Sequence, residues 1–154
     1  MFLSLRNLRK KKGLTLEDAA IKLKIKKMTL SDYESGCGDR TFNFIIVDKL
    51  AVVYNVTYTD IIYACKNKSI NKNLNYGANY EEKTLKELRE CVGLNVKEAC
   101  TKLEIARSTL LRYEKSELKP TSNTIYKMHL VYNLSCEDIV NACFKTFKFE
   151  KYQK

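Results

Sequence analysis

Arg107 and Arg112 are the side chains in this 154-residue chain whose type and spacing most directly promise chemistry. They lie in "RSTLLRYEKSELKP", residues 107–120, close to one face of a helix over a turn and a half. A guanidinium holds its donors in a rigid fork that fits paired acceptors such as guanine O6 and N7 or two phosphate oxygens. The whole chain leans the same way, since 28 Lys and Arg against 18 Asp and Glu give a charge of +10 that suits a polyanion. Catalysis has no comparable support. His129 is the sole histidine, and neither a nucleophile with base and orienting group nor a glycine-rich phosphate cradle is recognisable, so no enzyme is expected. Cys37, Cys65, Cys91, Cys100, Cys136 and Cys143 form no Cys-x-x-Cys pair, which argues against a four-ligand zinc site, and no cofactor is expected. Cys65 and Cys143, each after an apolar stretch, are expected to be buried thiols.

The elements that carry the arginines occur twice. "KMTLSDYESGCGDR" at 27–40 shares Thr-Leu-x-x-Tyr-Glu with the arginine segment, and residues 5–34 laid over 85–114 match at 13 of 30 positions. After a two-residue contraction, "YNVTYTDIIYAC" at 54 matches "YNLSCEDIVNAC" at 132 in 6 of 12 places. The chain is an internal duplication. Each copy divides into five short helical segments. In the first they run around Leu5 and Leu8, from about Leu16 to Leu23, from about Lys27 to Ser35, through Val47 to Tyr54, and from Thr59, read as an N-cap, to about Cys65. No alternating strand pattern bounded by hairpin signals occurs, so the fold class expected is all-α. Between the copies "KNKSINKNLNYGANYEE", residues 66–82, is rich in Asn and poor in large aliphatics, as a flexible linker would be. The expected organisation is residues 1–66, a linker at 67–82, and residues 83–154 ending in the aromatic and basic "FKTFKFEKYQK".

Ala19, Ala20, Leu23, Ile25, Leu30 and Tyr33, matched by Ala99, Cys100, Leu103, Ile105, Leu110 and Tyr113, have the spacing of a helix-turn-helix. With the Tyr-Glu that closes the third helix and "KPTSNT" leading into the fourth, each copy resembles the Cro/cI, or XRE-type, family. The resemblance implies two tandem five-helix, lambda-repressor-like domains. It further implies that the third helix enters the major groove with its N-terminal residues leading. Carried over by motif, the DNA-facing set is Lys26, Lys27, Met28, Thr29 and Asp32 in copy one, and Ala106, Arg107, Ser108, Thr109 and Arg112 in copy two, with Lys115 and Lys119 beside the second helix. Lys10, Lys11, Lys12, Lys22 and Lys24 are further candidates for phosphate. Two departures stand out: Lys24 and Glu104 occupy the tight turn where relatives often carry Gly, and Leu16 and Val96 replace a Gln that touches phosphate or base.

The function expected from these residues is sequence-specific binding of double-stranded DNA by a transcriptional regulator with two recognition helices. The competing expectation is a protein-interaction module such as an antirepressor, an antitoxin-like partner or a phage-encoded inhibitor. "FNFIIVDKLAVVYNV", residues 42–56, is more apolar than one helix face requires, so Phe42, Phe44 and Ile46 are expected at an interface with copy two, a protein partner or a second chain. Phe144 and Phe147 are expected to continue the last helix and pack. No apolar run approaches the ~20 residues of a membrane helix, and "MFLSL" is followed instead of preceded by basic residues, so a cytoplasmic location and no membrane partner are expected.

Overall fold

The computed structural model describes residues 4–36, 42–66, 80 and 82–153; most of the expected linker lies outside them. Among the described residues the chain forms ten helices and no strand. Copy one has α1 (Leu5–Lys11), α2 (Leu16–Leu23), α3 (Lys27–Ser35), α4 (Phe44–Tyr54) and α5 (Tyr58–Cys65); copy two has α6 (Leu85–Cys91), α7 (Val96–Leu103), α8 (Arg107–Glu114), α9 (Ser122–Tyr132) and α10 (Cys136–Phe147). Local chemistry sets these bounds. Gly13 and Gly93, at φ of 76° and 78°, turn the chain after α1 and α6, a conformation that costs glycine nothing. Thr15 with Asp18 and Asn95 with Glu98 form capping boxes that start α2 and α7. Lys24 and Glu104 end those helices, both at φ 56°, so the turn keeps its left-handed backbone without glycine at about 1 kcal/mol each. Leu23, Leu30, Leu103 and Leu110 are almost wholly buried where the two helices of each unit meet the core.

Two expectations need correction. The N-cap of α5 is Thr57, whose hydroxyl accepts from the Asp60 amide while the Asp60 carboxylate accepts from the Thr57 amide; Thr59 lies inside the first turn. Cys143 is buried as expected, whereas Cys65 is only half-buried.

The copies pack on each other through α4, α5, α9 and α10. Their contact is a pseudo-two-fold one, because residues 78 apart meet. Asn43 and Thr121, equivalent by the alignment of the eleven-residue helices α4 and α9, form an isolated antiparallel bridge. Around it the Phe44 amide donates to the Pro120 carbonyl (3.2 Å) and the equivalent Ser122 amide to the Phe42 carbonyl (2.7 Å). Thr59 and Glu137, again equivalent, also meet: the Thr59 amide and hydroxyl donate to the two Glu137 carboxylate oxygens at 3.1 and 2.7 Å. Such self-matching contacts are what an isologous interface requires.

Side chains break the symmetry around this backbone frame. Phe44, fully buried, meets the rings of Phe144, Phe147 and Phe149 at centroid distances of 5.0, 5.1 and 6.3 Å, while the equivalent Ser122 brings no ring. On the other side Tyr63 shares a hydrogen bond of 2.8 Å with His129 Nε2, whose Nδ1 lies 2.6 Å from the Leu134 carbonyl. Phe44 and Phe42 thus join copy two, as residues 42–56 led us to expect, and Phe144 and Phe147 pack as expected. Beyond α10 the tail crosses back, where the Tyr152 amide donates to Asp48 (2.5 Å) and its hydroxyl to the Lys22 carbonyl (2.7 Å).

Candidate nucleic-acid interface

A buried ion pair fixes each third helix to the first helix of its own copy. Arg9 donates to Glu34 through Nε (2.6 Å) and Nη2 (3.0 Å), and through Nη1 to the Leu14 carbonyl (2.8 Å). Arg89 repeats this with Glu114 at 2.6 and 3.2 Å and with the Leu94 carbonyl at 2.9 Å. The four side chains are between 5% and 8% exposed, so each carboxylate is desolvated and depends on its fork of donors. Hydrogen bonding to the glutamate raises each guanidinium pKa above its ordinary value. Burial, then the glutamate charge, raises the phenols of Tyr54 and Tyr132 beside the two pairs. In the sequence Glu34 and Glu114 stand out only as the closing residue of Tyr-Glu. Their partners were visible in the duplication, where Arg9 and Arg89 recur at the same separation of 25 residues.

Held this way, α3 and α8 present their first turns outward. Lys26, Lys27 and Met28 are exposed, Met28 at 75%, and Thr29 and Asp32 are half-buried. In copy two Arg107, Ser108 and Arg112 are exposed and Thr109 is half-buried. Neither arginine has an ion-pair partner among the described residues, whereas Lys27 faces Glu17 at 3.7 Å, a solvated pair of little energetic consequence. Lys115 ends α8 and is exposed; exposed Lys119 lies over the Phe149 ring, 5.7 Å from its centroid. The structure therefore places Lys26, Lys27, Met28 and Thr29, and Ala106, Arg107, Ser108 and Thr109, at the starts of their helices, with Asp32 and Arg112 further along, Lys115 at the end of α8 and Lys119 drawn toward the tail.

The starts of α3 and α8 share a second property. Lys26 and Ala106 cap them without a side-chain hydrogen bond, while each of the other eight helices, from α1 with Ser4 to α10 with Ser135, has a Ser, Thr or Asn accepting from its first turn. First-turn amides without a side-chain acceptor, at the positive end of a helix, suit an external anion. The starts of α2 and α7 are the opposite case. Leu16 and Val96 pack against the core instead of reaching outward, and the Asp18 and Glu98 carboxylates sit there; hydrogen bonds from Thr15 hold Asp18 below its usual carboxyl range. The position where relatives often carry Gln is thus apolar in both copies, with a carboxylate two residues further on.

Two compact units, each with a buried Arg-Glu clamp behind an outward-facing third helix, define a helix-turn-helix protein. The family model described as Helix-turn-helix matches residues 5–61 and again 85–139, and the chain belongs to this Cro/cI-type family. Among curated proteins it is similar to the HTH-type transcriptional regulator ImmR of Bacillus subtilis (strain 168), 38% identical over 55 residues, or 36% of this chain. The aligned stretch spans 43% of that regulator's length. No solved structure matches. Among the described residues no helix is long and apolar enough to cross a membrane.

Proposed function

We propose that the protein is a sequence-specific regulator of transcription that binds one stretch of duplex DNA through two non-equivalent reading helices, α3 and α8. The observation that carries this reading is the outer face of α8: exposed Arg107 beside first-turn amides that no side chain caps, and exposed Arg112 in the last turn, both without ion-pair partners among the described residues. Arg107 and Arg112 read guanine edges, and Ser108 and Thr109 contact bases or phosphate beside them. In copy one Lys26 and Lys27 hold phosphate, Met28 lies against thymine methyls, and Asp32 accepts from a cytosine amino group. Lys115 and Lys119 add phosphate contacts. Copy one is thus the electrostatic anchor and copy two the principal reader. The ImmR likeness supports a regulatory role, and the pseudo-two-fold contact supports joint engagement of one site. Binding of the full chain to random duplexes at a series of salt concentrations tests the reading. Counterion release predicts a steep fall of log affinity with log salt. A slope near zero, or no retention at low salt, contradicts it.

A further inference from the structure

Copy one carries a surface that copy two does not. At the outer side of α2 lies a groove of about 360 Å³, walled by Leu14, Ile21, Val53 and Tyr152 and rimmed by Lys12, Lys22 and Lys24. Ile21 is 70% exposed, so this side chain adds almost nothing to the core of its own unit. Tyr152 arrives from the far end of the chain and is pinned there by its bonds to Asp48 and the Lys22 carbonyl, with the Lys49 ammonium 5.6 Å from its ring centroid. The rim lysines are exposed and have no ion-pair partner among the described residues. At the corresponding positions copy two has Val92 for Lys12, Thr101 for Ile21 and Glu104 for Lys24, which removes two positive charges and the exposed apolar anchor.

We propose that this groove docks a short acidic, amphipathic segment of a partner protein, with its apolar side chains against Leu14, Ile21, Val53 and Tyr152 and its carboxylates on Lys12, Lys22 and Lys24. Exposed lysines around an apolar floor complement that chemistry on both counts. Duplex phosphates would satisfy the lysines and leave the floor empty, since the backbone has no apolar group to offer it. The volume is at the lower end of the ~300–1,000 Å³ of ligand sites, which suits anchor side chains inserted from a peptide.

The test is selection of a random-peptide phage library on the full-length chain, followed by titration of a synthetic peptide from the enriched set. Enriched sequences should combine Asp or Glu with Leu, Ile or Phe at helical spacing. Ile21→Thr and Lys24→Glu, residues that copy two already carries on the same backbone, should each weaken the peptide by about tenfold, the loss typical of an anchor removed. Circular dichroism should show both variants folded, and Ile21→Thr should bind duplex DNA like the parent chain. No enrichment, enrichment of non-acidic peptides, or peptide binding by both variants as tight as by the parent chain overturns the proposal. Displacement of the peptide by saturating duplex, with Ile21→Thr also weakened on DNA, assigns the groove to the DNA surface and overturns it as well.

Discussion

The units α2–α3 and α7–α8 have the same scaffold and opposite faces. Both are locked by an Arg-Glu pair to the preceding helix, both turn through a left-handed Lys24 or Glu104, and both start the third helix without a side-chain cap. Outward they diverge, with Lys27, Met28 and Asp32 in one and Arg107, Ser108 and Arg112 in the other. Buried positions are held by a network that fails if either partner changes, whereas an exposed helix face is free to change as long as the helix forms. Duplication therefore preserved the frame and let the two exposed helix faces diverge.

The largest effect should come from breaking the shared frame. Glu34→Ala or Glu114→Ala leaves a buried guanidinium without its carboxylate and should cost about 3–5 kcal/mol, similar in the two copies, by chemical denaturation. A near-zero cost in one copy would show that its clamp is dispensable. Phe44→Ala should cost a comparable amount, about 3–5 kcal/mol, by removing a fully buried ring from the Phe144, Phe147 and Phe149 cluster. Because that cluster joins the copies, Phe44→Lys should separate their unfolding transitions while circular dichroism stays close to the parent. Loss of helix throughout copy one would make Phe44 simply core.

Smaller effects sharpen the difference between the faces. Arg107→Ala and Arg112→Ala should each remove about 1–3 kcal/mol of discrimination, read by competition between selected and random duplex, while Lys27→Ala should weaken all sequences alike. Equal losses on both DNAs would make the arginines phosphate ligands. The smallest effect separates α6 from α1. Hydrogen bonds from Thr84 hold the Glu87 carboxyl below its usual range, whereas the matching position in α1 is the uncharged Asn7. A depressed folded-state pKa means that the stabilisation is complete above the unfolded-state value and is lost as pH falls through the folded one. Acid should therefore lower hydrogen-exchange protection at the start of α6, after correction for intrinsic rates, and leave α1 unchanged; equal loosening would remove Glu87 as the cause.

Helix order and the bounds of α2 and α3 were legible because apolar spacing, caps and glycine stops are local signals that the duplication states twice. The left-handed turn at Lys24 and Glu104 was legible only through the family resemblance, since neither Lys nor Glu signals a positive φ. Thr59 misled because two threonines precede the apolar stretch of α5, and the deciding feature was Asp60 three residues after Thr57. The Thr59–Glu137 contact left no local trace, since it links residues 78 apart that resemble each other in neither size nor charge. Tyr152 crossing to Asp48 and Lys22 was hidden likewise, because nothing within the tail specifies its distant acceptors. The candidate residues could be placed on each third helix, but a base-contacting role depends on the DNA as much as on the chain.

Central to the account is the claim that two unlike readers are held at one separation by the pseudo-two-fold contact. The most direct measurement is selection of duplex sites by the full chain and by Phe44→Lys, with sequencing of the retained DNA. The account predicts two dissimilar half-sites at one fixed spacing for the parent chain, and the same half-sites at scattered spacing once the contact is broken. A palindrome, a single half-site, or a spacing unaffected by Phe44→Lys would contradict it.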